Sequence, residues 1–114
     1  MKLKIISVGR EKADQSAPLV DDYIARIRKF VPVNDVILRP TQEGRLLDKI
    51  TRESPSLLVA LDERGEEFTS REFAKLMASW MDRGQKTVVL VIGGANGLPK
   101  DVLARANKKI ALLS

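Results

Sequence analysis

A chain of 114 residues with no histidine and no cysteine has no imidazole to carry protons and no thiolate to attack a substrate or hold a metal. Ser-His-Asp hydrolysis and most zinc sites are excluded, and no metal site is expected. Carboxylates, amines and bare backbone remain. One stretch concentrates bare backbone: residues 87–92 (T-V-V-L-V-I) run into Gly93-Gly94, then Ala95, an Asn96-Gly97 turn signal and Leu98-Pro99. A continuous apolar run is how a parallel strand covered on both faces reads. In open parallel sheets, ligands sit at the loops after the strands' carboxyl ends, where glycine removes the Cβ that would hold a ligand off the backbone. A tight chain exit would use the same two glycines. The carboxylates beside a comparable loop are Asp62 and Glu63, at the end of the apolar run 56–62 and just before Arg64-Gly65. Either could take a proton as a general base, and either could equally be loop surface.

Such loops need strands to present them and helices to cover those strands. Residues 2–8 (K-L-K-I-I-S-V) read as a first strand, closed by Gly9 and the charged pair Arg10-Glu11. Leu19, Val20, Tyr23, Ile24 and Ile27 give residues 17–30 a one-sided helical stripe, which Pro32 ends. A short strand follows over 34–38. Residues 41–45 (T-Q-E-G-R) are polar and read as a loop, before Leu46, Leu47 and Ile50 restore helical spacing up to Glu53. The third strand covers 56–62, and Glu63-Arg64-Gly65 reads as a charged turn. Thr69 and Glu72 have capping-box spacing ahead of the stripe Phe73, Leu76, Met77, Trp80 and Met81, and Gly84 stands where a helix should stop. After the glycine loop come a helix over 100–108 and a fifth strand over 110–113. Five strands alternating with four helices predict a single α/β domain over 1–114: a mainly parallel sheet, helices on both faces and right-handed crossovers.

The net charge of +5 and a pI near 9.7 favour a polyanionic partner. Arg39, Arg45, Lys49 and Arg52 make 39–52 the most basic region, which a solvated helix face explains as well as an RNA contact does. Five scattered aromatic residues are too few for a base-stacking platform, so any nucleic-acid binding should be led by phosphate contacts. No run approaches a membrane span or has signal-peptide form, so a cytoplasmic address and no membrane partner are expected. Neither G-x-G-x-x-G nor G-x-x-x-x-G-K-[ST] occurs, which disfavours a dinucleotide fold or a P-loop nucleotidase.

Four stretches in order carry a resemblance: K-L-K-I-I-S-V-G-R at 2–10, L-D-E-R-G at 61–65, S-R-E-F-A at 70–74 and, most specific, V-I-G-G-A-N-G-L at 91–98. Together they resemble the small SPOUT-class methyltransferases that methylate N3 of a pseudouridine in large-subunit ribosomal RNA. The resemblance implies a SPOUT-like α/β domain with a C-terminal trefoil knot, S-adenosyl-L-methionine as methyl donor, and a homodimer whose cofactor sites are completed at the subunit interface. Carried over by position, cofactor contacts fall at Leu61, at Gly93 and Gly94, and at Leu113 and Ser114. Members of that family continue for roughly forty residues past this point, on the scale of one crossover and a helix. The resemblance therefore implies a domain whose knot-forming segment and catalytic groups lie beyond Ser114, and no catalytic residue is assigned within 1–114. A non-catalytic RNA- or ribosome-binding domain is the alternative expectation, and a small-nucleotide-binding domain a third. An exposed terminal strand, as 110–113 would be, also favours pairing between chains.

Overall fold

The computed structural model describes residues 1–9, 17–94 and 96–113. Five strands, β1 (Lys2–Val8), β2 (Val33–Leu38), β3 (Leu57–Phe68), β4 (Thr87–Ile92) and β5 (Lys108–Leu112), alternate with four helices, α1 (Ala17–Ile27), α2 (Leu46–Arg52), α3 (Ser70–Asp82) and α4 (Lys100–Arg105). Every ladder is parallel and the order is β2-β1-β4-β3-β5. The predicted mainly parallel α/β sheet is therefore the observed one.

Strand periodicity divides the apolar residues between two faces. Leu3 and Ile5 of β1, Val59 of β3, and Val88 and Leu90 of β4 pack with Tyr23, Ile24 and Ile27 of α1 and Phe73, Met77 and Trp80 of α3. Ile6 and Val8, Leu58 and Ala60, and Val89 and Val91 point the other way, onto Leu46 and Ile50 of α2 and Val102 of α4. The first face is anchored by edge-on rings: Phe73 lies 6.4 Å from Tyr23 and 6.2 Å from Trp80 between centroids. The expected capping box opens α3, with the Glu72 N–H donating to Thr69 Oγ1 at 3.2 Å and the Thr69 N–H to Glu72 Oε1 at 2.9 Å. Gly84 closes that helix at φ +75°. No helix among the described residues is long and apolar enough to cross a membrane.

Element boundaries differ from the sequence expectation, β5 for one running over Lys108–Leu112 rather than 110–113, and the four largest differences each have a local reason. Residues 40–45 are not a loop but a 3-10 helix, set by the fixed φ of Pro40 and by Gln42, whose side chain accepts from the Arg39 N–H at 3.0 Å. Helix α1 stops at Ile27 because the chain tightens there, Lys29 N–H donating to Arg26 O and Phe30 N–H to Ile27 O. Helix α4 stops at Arg105 rather than 108 because Asn107 is already docked on β3. Its N–H donates to Leu58 O at 2.8 Å and its Oδ1 accepts from Leu58 N–H at 2.7 Å. The charged turn expected at 63–65 is an excursion inside a strand that continues to Phe68.

The amino edge of the sheet carries one ion-pair cluster. Glu53, at the end of α2, accepts from the Lys4 ammonium and lies 3.6 Å from Lys2 Nζ, with only 17% of its side chain exposed. The Lys4 hydrogen bond, helped by the charges of both lysines, holds the Glu53 carboxyl below its ordinary pKa against the opposing effect of burial. A carboxylate depressed in the folded state stabilises fully above its unfolded pKa and loses that contribution as pH falls through the folded value. Glu53→Gln should therefore cost about 1–2 kcal/mol at neutral pH. In urea melts over a pH series, the gap between variant and parent should close as the solution is acidified through the carboxylate range; a gap independent of pH would refute the assignment.

Candidate functional site

Because all five strands are parallel, their carboxyl ends meet one rim. A cavity of about 1010 Å³ opens there, lined by the ends of β3 and β5, the loop after β4 and the start of α4. Leu61, Gly93, Gly94 and Leu113 all border it. Leu61 pairs with Ile92 of β4 on one side and Ile110 of β5 on the other, which places it at the cavity floor between those strands. Ser114, the loop at Arg10-Glu11 and Ala95 lie outside the described residues.

The geometry gives Gly93 and Gly94 a packing reason and Gly97 a conformational one. A Cβ on Gly93 would sit 2.4 Å from the Gly97 carbonyl carbon and 2.6 Å from Leu98 N. The loop folds back so closely that backbone crosses backbone, sealed by the Gly94–Gly97 bridge and a Gly97 N–H···O=C Gly94 bond of 3.0 Å. A Cβ on Gly94 would meet the Val8 carbonyl oxygen at 3.3 Å, and Gly97 turns at φ +78°. Tight chain exit and ligand approach are thus not rivals, since the fold that demands glycine also lays thin backbone along the cavity.

The opposite wall is the excursion in β3. Leu61 and Glu66 both face Ile110, so residues 62–65 loop out of the ladder as an extended bulge. Gly65 lets this happen: its Cβ would lie 2.6 Å from Ile110 N and from Lys109 C. A glycine inside an apolar-to-charged strand is the available sequence signal for such a bulge, and the same residues have the composition of a turn. The bulge carries Asp62, whose Oδ1 accepts from the Arg64 N–H at 3.3 Å, and the exposed Glu63 and Arg64. With Glu67 and Lys100 they put three carboxylates and two cations on the cavity lining.

Leu113 is fixed from two sides. Its N–H donates to Phe68 O at 2.9 Å, and its carbonyl accepts from the hydroxyl of Tyr23, a buried residue of α1. In the sequence Tyr23 belongs to an apolar helix stripe, and nothing local links it to a residue ninety positions on. Backbone at Leu113 is therefore already engaged, leaving its side chain, 39% exposed, as the surface a ligand would meet.

The lining suits a flat heteroaromatic group with polar substituents: Leu61, Ile92, Leu98 and Leu103 offer apolar contact, and the carboxylates can accept from hydroxyl or ammonium groups. Chemistry here would rest on positioning and on proton acceptance by Asp62 or Glu63.

Comparison with known proteins points the same way. The model of a family described as predicted SPOUT methyltransferase matches residues 1–114. The chain is similar to proteins named ribosomal RNA large subunit methyltransferase H. That of Anaeromyxobacter dehalogenans is 36% identical over 124 residues, covering 98% of this chain and 79% of the relative. That of Allorhizobium ampelinum is 37% identical over 94% and 76%, and that of Clostridium botulinum 32% identical over 97% and 79%.

Proposed function

The chain belongs to the SPOUT methyltransferase family, and on that footing we propose that it transfers a methyl group from S-adenosyl-L-methionine to N3 of a pseudouridine in large-subunit ribosomal RNA. The observation that supports this reading is the gathering of Leu61, Gly93, Gly94 and Leu113 around one cavity at the carboxyl rim. The adenosyl group fits that lining: apolar walls for the base, thin backbone at Gly93 and Gly94 beside it, and carboxylates able to accept from ribose hydroxyls or the ammonium group. Bound there, S-adenosyl-L-methionine supplies a methyl group on a positively charged sulfur.

The protein's part is chiefly geometric. It would have to hold N3 in line with the methyl carbon, and the Gly94–Gly97 bridge of the β4 loop and the two hydrogen bonds at Leu113 are the contacts that would brace the cavity for this. Methylation at N3 would require the proton there to leave. Asp62 and Glu63 are the carboxylates on the bulge that could receive it. We further propose that two copies pair as a homodimer, with β5, an edge strand of the sheet, offering unpaired backbone groups.

Titration calorimetry with S-adenosyl-L-methionine tests the reading directly, together with mass spectrometry of unmodified large-subunit RNA incubated with protein and donor. Saturable donor binding and one added methyl on a pseudouridine are expected. Absence of both heat and methylation would overturn the proposal, and RNA retention without donor binding would mark a non-catalytic RNA-binding domain instead.

A further inference from the structure

The carboxyl rim extends beyond the cavity. Next to β4 lie the ends of β1 and β2, and the 3-10 helix 40–45 follows β2 directly. It is seated against the rim, with Pro40 Cγ 3.4 Å from the position of a Cβ on Gly9. Arg39 and Arg45 bracket this segment and both are exposed. Across α2 and α4, which pack on one face of the sheet, Lys100 opens α4, and Arg64 stands on the β3 bulge. Four cations therefore follow the rim from β2 to β3, a span of three strand spacings or about 14 Å.

None of the four is paired with a carboxylate of the described residues; the ion pairs found there involve Lys2, Lys4, Arg26 and Lys108. Lys100 also stands where α4 begins, where a cation opposes the helix's own partial charges, and Arg45 stands at the junction of the 3-10 helix and α2, favourable to the end of one and unfavourable to the start of the other. No ion pair among the described residues accounts for these four cations. Lys49 and Arg52 are different. They follow Arg45 at helical spacing, but α2 runs away from the rim toward its C-cap Glu53, which meets Lys2 and Lys4 at the amino edge. As cations in the last turn they favour their helix.

We propose that Arg39 and Arg45, continued by Lys100 and Arg64, form a track for the phosphates of a single-stranded RNA segment lying along the rim and delivering its base to the cavity. This rests on the reading of the cavity as a methyl-transfer site and specifies how its polyanionic substrate is held. The competing course, down the stripe of Arg45, Lys49 and Arg52, would lead RNA away from the cavity.

The test compares Arg39→Gln/Arg45→Gln with Lys49→Gln/Arg52→Gln in the full chain, measuring affinity for an unstructured oligouridylate over a salt series, alongside the thermal midpoint and S-adenosyl-L-methionine binding. Removing two phosphate contacts to a single strand should flatten the slope of log affinity against log salt by about 1.4. The Arg39/Arg45 variant should show that change with an unaltered midpoint and donor affinity, and the Lys49/Arg52 variant should keep the parental slope. Equal slopes in all three proteins, a larger loss in the Lys49/Arg52 variant, or no RNA binding by the parent would overturn the track. Loss of donor binding in the parent, with the slope change intact, would instead sink the methyl-transfer reading and leave the track standing.

Discussion

Gly93→Ala is expected to destroy the cavity wall and to destabilise the fold by roughly 3 kcal/mol or more, at the upper end of what overpacking costs. The single added carbon would lie 2.4 Å from Gly97 C, 2.6 Å from Leu98 N and 2.7 Å from Gly97 O. All three are backbone atoms, and none can rotate aside as a side-chain terminus would. The Gly94–Gly97 bridge must open, which moves the loop that borders Leu61 and Leu113. Gly44→Ala is the matched control: nothing lies within 4 Å of its Cβ, so the same change there should leave stability within about 1 kcal/mol of the parent. Urea melts and donor calorimetry on the two variants check this. A Gly93→Ala protein with parental stability and donor affinity would show that the loop does not hold the folded-back path described.

Phe73→Ala should be the most damaging core substitution, at about 3–5 kcal/mol. Phe73 is 2% exposed and fills the space between Tyr23 and Trp80 on the α1/α3 face. Against a total stability of about 5–15 kcal/mol for a domain, that loss removes between about a fifth and all of the margin. It also reaches the cavity, because Tyr23 is both a ring neighbour of Phe73 and the donor that fixes the Leu113 carbonyl. Trp80 is the single tryptophan and packs edge-on to Phe73, so its emission reports the repacking directly. Phe73→Leu keeps most of the volume and should cost less than half as much; equal losses for the two would mean the site collapses onto the vacancy.

The two substitutions differ in how visible their positions were beforehand. Phe73 is legible in the sequence, since it opens an apolar stripe behind a capping box whose hydrogen bonds form as the spacing implies. The parallel sheet was legible for the same kind of reason: strands and helices alternate along the chain, and the runs 56–62 and 87–92 are nearly all apolar, as parallel strands covered on both faces are. The excursion at 62–65 was not. Its charged residues resemble a turn, and what keeps β3 going to Phe68 is the pairing of Glu66, Glu67 and Phe68 with β5, more than forty residues later. The end of α4 is a similar case, decided by Asn107 docking on Leu58.

Short-range pattern thus indicated where the five strands and four helices lie, which faces are apolar and which loop is made of bare backbone, because each depends on neighbours within a turn or two of chain; it did not set where β3, α1 and α4 end. The family resemblance implied cofactor contacts at Leu61, Gly93, Gly94 and Leu113; the folded molecule alone decided that they border one cavity walled by the β3 bulge, that Tyr23 reaches Leu113 from α1, and that Arg39 and Arg45 stand on the same rim. Those are consequences of strand order, β2-β1-β4-β3-β5, and strand order is set by how two apolar layers close around one sheet, a many-body packing outcome that no local run of residues encodes.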